Sequence, residues 1–288
     1  MSLFGKFGKA AVKPAWTFAA NGILWRLLPA GDHFFVGEDR DKESKSVSFF
    51  CIDCTTGAVQ WKDVRQGEQW WTGIEAVDGK FVFLHEYSTP DMPGHKKIHC
   101  LDLASGKLLW SNVDLQFVLA ANGILIAARE GFETREFFEI DVSNGNVLAK
   151  IEVGRVHEER ARAPQPSRGL RFPVPIDLAA PGSQLQPLLA RRKSGEGEVQ
   201  YAETFEGDHL HIMAAYVLAT RGAEGQTYSQ HLEIFERESL KSLFRETINR
   251  ETVAIVPDAF FLLGEMMYYI QERKTLCAID LGAVGRES

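Results

Sequence analysis

Cys51 and Cys54 stand in a C-x-x-C spacing inside FFCIDCTTGAVQW, residues 49–61. That spacing supplies half of a tetrahedral zinc site or a redox dithiol. A zinc site needs four ligands and the chain holds no second C-x-x-C. A redox pair wants a helix N-terminus, and the residues before Cys51 read as a strand. His157 is followed by Glu158 and Glu159, but position 161 is alanine, so H-E-x-x-H is not formed. His209 and His211 alternate in GDHLHIM and would share one strand face, without an evident third ligand. His33 reads as a turn-adjacent position. Glu38, Glu86, Glu130 and Glu265 recur near the expected ends of second strands. Pointed at a common axis they would form a carboxylate ring able to hold calcium; as plain strand ends they would be solvated. Trp25, Trp70, Trp71 and Tyr201 fall near the starts of first strands, where rings stack on a sugar or a peptide, or fill gaps between sheets. G-x-S-x-G, the P-loop and G-x-G-x-x-G do not occur.

The elements that would carry these residues follow from a repeat. IDCTTGAVQW (52–61) matches LDLASGKLLW (101–110) and IDVSNGNVLA (140–149), with a worn copy in FERESLKSLF (235–244) and a further one starting at IDLGAVGRES (279–288). In the first three, Asp53, Asp102 and Asp141 precede Gly57, Gly106 and Gly145 by four residues. An apolar strand ends at the Asp, whose side chain binds turn amides, and the Gly takes positive φ. A further hairpin is expected upstream of each copy, in ILWRLLPAGDHFFVGED, GIEAVDGKFVFLHE, LQFVLAANGILIAARE, VQYAETFEGDHLHIMAAY and TVAIVPDAFFLLGE. Four strands at a period of 45 residues (Trp16 to Trp61) and 49 residues (Trp61 to Trp110) suggest a propeller blade. The expectation is an all-β chain, a five-bladed β-propeller over residues 1–288, with six blades as the alternative. The strand around Trp16 would complete the last blade and close the ring. Cys51 aligns with Cys100, and Cys54 with Leu103 and Val142, so both cysteines read as small core fillers.

CIDCTTGAVQW and CLDLASGKLLW resemble the tryptophan-bearing blade motif of quinoprotein-type β-propellers, the PQQ-like repeat. The resemblance covers roughly residues 14–154 well and 197–288 poorly. It implies the propeller fold. It implies a quinone only if the enzyme's other parts are present, and those dehydrogenases are longer, exported chains of eight blades. Propellers that share the motif without the cofactor, such as an uncharacterised bacterial family, are the nearer analogy.

Between the third and fourth copies, residues 154–197 break the repeat and hold six of the eleven prolines. An extended insertion across one face is expected there, a decayed blade being the alternative. Its Arg155, Arg160, Arg162, Arg168, Arg171, Arg191, Arg192 and Lys193 are either solvated charge or a docking segment for an acidic partner or a small anionic ligand. The chain as a whole has 39 acidic and 32 basic residues, net −7, which argues against nucleic acid as a partner. No apolar run is long enough to span a membrane and the N-terminus lacks a signal-like core, so a cytoplasmic monomer is expected. A non-catalytic binding or scaffold propeller is the first functional reading, without a cofactor. Its ligand contacts would come from Trp25, Trp71, Tyr201, Arg168 and Arg171. The second is a metal-dependent hydrolase or lyase with its site in the central channel, with calcium as the cofactor.

Overall fold

The computed structural model describes residues 12–89, 92–132, 134–163, 169–178, 197–222 and 225–284. The described residues are mostly β, in five antiparallel sheets of four or five strands. They fall into two compact units: residues 20–168, and residues 169–288 joined by the segment up to Ala19, which carries β1 (Trp16–Ala19).

Three sheets make up the 20–168 unit. The first holds β2 (Ile23–Ala30), β3 (Phe34–Asp41), β4 (Ser46–Asp53) and β5 (Val59–Val64). The second holds β6 (Thr72–Asp78), β7 (Phe81–Thr89), β8 (Met92–Asp102) and β9 (Leu108–Asn112). The third holds β10 (Gln116–Ala121), β11 (Ile124–Glu130), β12 (Arg135–Ile140) and β13 (Val147–Ile151). The Asp–Gly turns have the expected chemistry. Asp53 Oδ1 accepts the amides of Thr55 (2.9 Å) and Thr56 (2.7 Å), and Gly57 sits at φ 72°.

Strand alternation buries both faces of the middle sheet. Val82 and Leu84 pack with Val36, Phe49, Cys51 and Trp61 of the first sheet, while Phe81 and Phe83 pack with Trp110, Leu125, Ala127 and Phe138 toward the third. Each outer-strand tryptophan reaches into the next sheet. Trp61 Nε1 donates to Leu103 O at 2.7 Å, and Trp110 Nε1 to Val142 O at 2.8 Å. Their rings lie on Gly106 and Gly145, where a Cβ would come within 2.7 and 2.6 Å of the indole carbons. Glycine is therefore required there twice over, by positive φ and by the ring above it. Cys51 is fully buried in this packing and its thiol is pushed up to about 12, by burial and then by Asp53. Cys54 is buried too, its Sγ 3.4 Å from Asp32 O.

AANGIL, which occurs at 19–24 and 120–125, does one job in two settings. The amides of Asn21 and Gly22 donate to the Asp39 carboxylate, both at 2.7 Å, ahead of β2. Those of Asn122 and Gly123 donate to Asp78 at 3.2 and 2.9 Å, in the turn between β10 and β11.

The segment expected as an insertion begins with α1 (Val153–Arg162), whose Glu159 is buried between Arg155 (2.8 Å) and Arg162 (3.1 Å). It continues with β14 (Leu170–Arg171) and β15 (Val174–Pro175), two short edge strands. Proline is tolerated at such an edge. Arg168, Arg191, Arg192 and Lys193 lie outside the described residues.

In the 169–288 unit, β15 edges a sheet with β16 (Val199–Glu206), β17 (Leu210–Gly222), β18 (Gly225–Glu236) and β19 (Ser242–Thr252). The other sheet runs β1, β22 (Thr275–Asp280), β21 (Met266–Gln271), β20 (Phe260–Leu263), β14. The N-terminal strand thus pairs with β22, Trp16 opposite Ala278. The last hairpin differs from expectation. Its turn is Gly264 (φ 61°) and Glu265, not the Pro257–Asp258 pair, and residues 253–259 connect β19 to β20. No described helix is long and apolar enough to cross a membrane.

Four of the five first strands carry a one-residue bulge. The residues left without a cross-strand partner are Trp25, Glu75, Val118 and Gln200.

Candidate functional site

The bulge at Trp25 leaves the ring 55 % exposed. Beneath it lies Arg40, on the neighbouring strand, with its guanidinium 5.8 Å from the Trp25 ring and 5.4 Å from that of Trp70. Arg40 is held there from three sides. It pairs with Glu38 at 2.8 Å and donates to Trp70 O and Thr72 O, both at 2.7 Å. Trp70 meets Trp71 edge-on at 6.4 Å, Trp71 meets Tyr87 at 6.2 Å, and Tyr87 meets the imidazoles of His85 (4.8 Å) and His95 (5.4 Å). A row of rings therefore runs from Trp70 to the two histidines, with Trp25 joined to it through Arg40, entirely within the 20–168 unit. The loop before β6 fixes its middle: Glu68 Oε2 accepts the amides of Trp70 (2.9 Å) and Trp71 (2.5 Å). Ser44, Lys45, Glu68, Gln69, Trp70 and Trp71 line a cleft of about 440 Å3 beside it. Lys45 Nζ stands 5.3 Å from the Trp70 ring.

At the far end of the row is a cluster that the sequence reading passed over. Glu75 Oε2 lies 2.7 Å from Nδ1 of both His85 and His95, whose rings stack at 3.6 Å and 8°. Burial alone would raise the Glu75 carboxyl, but the two imidazoles outweigh it and hold it below the ordinary range. His95 is held below its usual value, first by burial and then by His85.

Of the carboxylates expected at strand ends, Glu38 and Glu86 are buried and already partnered. Besides Arg40, Glu38 takes the amide of Ile74 at 2.7 Å. Glu86 takes Lys97 at 2.8 Å and His99 at 3.2 Å, and His99 Nδ1 lies 2.8 Å from Ser111 Oγ. Ser111, His99 and Glu86 follow the order of nucleophile, base and orienting acid. Here Lys97 also binds the carboxylate, and His99 and Ser111 are ordinary cross-strand partners. Glu130 is half-exposed and pairs with Arg135 at 3.0 Å. Glu265, in a turn rather than at a strand end, lines a cleft of about 990 Å3 in the 169–288 unit, together with Arg171, His209 and Arg237. Arg171 is tied to Gly264 O at 2.5 Å and lies 5.1 Å from the Phe205 ring. Tyr201 donates to Glu203 Oε2 at 3.0 Å, and burial followed by Glu203 pushes its hydroxyl up to about 12. It belongs to the Glu203 network, which also takes the amides of Asp258 and Ala259 at 3.0 and 2.6 Å. His209 sits in the turn before β17, so it does not share a strand face with His211, which is fully buried. Arg168 lies outside the described residues.

Residues 30–110 match the family described as "Domain of unknown function (DUF4905)". No curated protein matches the chain. Among solved structures, the chain is similar to uncharacterized protein lmo1340 from Listeria monocytogenes EGD-e at 9 % identity and TM-score 0.33, covering 88 % of this chain and 60 % of that one. It is similar to the β-propeller domain of the Trilobed protease from Pyrococcus furiosus at 11 % identity and TM-score 0.30, covering 94 % and 70 %. For the AtxE2 isopeptidase in its apo form the values are 11 % and 0.39, covering 93 % of this chain and 51 % of that one. At such scores the likeness carries no argument about activity, and the chain spans only part of each of these proteins.

Proposed function

We propose that this chain is a non-catalytic binding protein of β-propeller type, with its five sheets as blades, and that it recognises a small ligand on the ring row of the 20–168 unit. The blade reading draws support from the β1–β22 pairing and from Trp61 and Trp110, which tie the first sheet to the second sheet's Asp–Gly turn and the second to the third's. The quinoprotein-type repeat serves in this reading as scaffold alone. The observation that carries the binding role is the run Trp70, Trp71, Tyr87, extended to Trp25 through the guanidinium of Arg40. Flat apolar faces beside Ser44, Glu68, Gln69 and Lys45 suit a ligand with an apolar face and a hydroxyl-rich or acidic edge, such as a sugar.

The test is a tryptophan-fluorescence titration with neutral and acidic mono- and oligosaccharides, run on the wild type, Trp25→Ala and Trp71→Ala. A binding sugar quenches the wild type and loses about tenfold in affinity on removal of a stacked ring. The reading fails if no sugar changes fluorescence or melting temperature, or if both variants bind as the wild type does.

A further inference from the structure

We infer that Glu75, His85 and His95 form a binding site for a divalent transition-metal ion of the zinc class. The inference stands on the geometry of the three side chains and does not depend on the ring row binding a ligand. Three strands build the site. Glu75 is the bulge residue of β6, His85 lies on β7, and His95 on β8 pairs with Tyr87. Their ligand atoms all lie within 4.8 Å of one another.

The contacts are close, yet they are not hydrogen bonds. Glu75 Oε2 and both ring nitrogens of His85 are buried without a hydrogen-bond partner, although Oε2 stands 2.7 Å from two imidazole nitrogens. An unaligned carboxylate oxygen facing two nitrogens in a buried site leaves polar groups uncompensated, which is costly. Protonating both rings is no remedy, because two stacked imidazolium ions 3.6 Å apart repel each other. One cation among the three atoms satisfies all of them.

The donor set decides which cation. Two imidazoles and one carboxylate suit zinc and its neighbours, whereas calcium and magnesium prefer oxygen alone. Bonds of about 2.1 Å in tetrahedral geometry place ligand atoms about 3.4 Å apart. The ion therefore enters by widening each N···O distance by about 0.7 Å and fanning the stacked rings. His95, with its side chain 31 % exposed, has room to swing. Three protein ligands leave a fourth position for water or a ligand atom.

Behind the site, Gly73 leaves a small space. A Cβ there would lie 3.3 Å from His85 Nε2 and 3.2 Å from Glu38 Oε1. Glu38 is itself taken up by Arg40 and the Ile74 amide, and His85 Nε2 has no hydrogen-bond partner.

The full chain is stripped with a chelator, and zinc chloride is titrated in by competition with a chromophoric indicator. Cobalt(II) is used in parallel for its visible spectrum. One equivalent of zinc is expected, with a tetrahedral cobalt spectrum lacking thiolate charge-transfer bands. His95→Ala, which alters a partly exposed side chain, lowers affinity on the order of 100-fold at unchanged circular dichroism. Cys51→Ala/Cys54→Val leaves the stoichiometry at one. His85→Ala, if it folds, behaves as His95→Ala does. The inference is overturned if the wild type takes up less than a tenth of an equivalent, if His95→Ala binds zinc as tightly as the wild type, or if the cysteine variant loses the metal.

Discussion

Replacing Gly145 by alanine tests whether the Trp110 ring locks two sheets together. At φ 77° an L-residue costs about 1–2 kcal/mol in backbone strain. The new methyl would stand 2.6 Å from Trp110 Cε3, where carbon atoms prefer about 3.5–4.0 Å, so the ring must retreat by about 1 Å. Overpacking of that kind costs a further ~1–3 kcal/mol. Trp110→Ala alone removes a ring that is 8 % exposed and its 2.8 Å bond to Val142 O, at about 3–5 kcal/mol. With the ring gone, Gly145→Ala retains only the strain. The double variant should therefore be about 1–3 kcal/mol more stable than the sum of the singles. Gly123→Ala is the control, since its φ is 79° and no atom lies within 4 Å of the new carbon; it should add to Trp110→Ala without coupling. The assay is urea unfolding followed by far-ultraviolet circular dichroism, because the substitutions alter the fluorescence itself. Additivity within about 0.5 kcal/mol for the Gly145–Trp110 pair would refute the interlock.

Removing residues 1–18 strips the partner from β22 and the Trp16 ring from Tyr268, 6.0 Å away; the urea midpoint should fall by the equivalent of about 2–4 kcal/mol, and an unchanged midpoint contradicts the pairing. Changing Cys51 to Ala and Cys54 to Val should cost about 1–3 kcal/mol, since both sites are buried and the replacements stay small and apolar; a larger loss in the same assay would mean that the thiols do more than pack. Burial raises the Glu203 carboxyl above its ordinary value. The folded chain therefore holds this proton more tightly than the unfolded chain does, and its charged form opposes folding at neutral pH. As pH falls from 7 through the raised value toward the ordinary 4.5, this residue makes the fold more stable. The difference in urea midpoint between the wild type and Glu203→Gln should grow in favour of the wild type over that window, and a flat difference would count against it.

The repeat was legible because its chemistry is local. An Asp whose side chain binds turn amides, followed four residues later by a Gly at positive φ, can be read without tertiary context, and it located the ends of β4, β8 and β12. The last hairpin was not legible, because FFLLGEMMYYI reads as one apolar run and Pro257–Asp258 offers a more obvious turn than Gly264–Glu265. The ring row was half legible. Trp25, Trp70 and Trp71 stand out in the sequence, Tyr87 does not, and Tyr201 and Arg171 belong to networks of the other unit. Glu75, His85 and His95 were missed for a physical reason. They lie ten residues apart in turn, a spacing that no single turn or strand produces. The bulge at Glu75 and the register of the long β7–β8 hairpin bring them together, and neither leaves a mark in composition. Glu86, which was chosen instead of its neighbour His85, points to the opposite face of the same strand. The recurrence of the bulge was the one available signal, since Glu75 occupies the slot that holds the conspicuous Trp25 one sheet earlier.

That shared slot bears on how such a chain can change. A residue outside the ladder has no partner across the strand and no fixed place in the alternation, so strand pairing does not dictate its type. Trp25, Glu75, Val118 and Gln200 show the range already in use: a stacking ring, a carboxylate, a small apolar group and an amide. Four of the five sheets therefore offer one address at which a side chain can be exchanged while the turns and the core stay constant. Selection acting on these addresses can rewrite what the surface recognises, sheet by sheet, without renegotiating the scaffold.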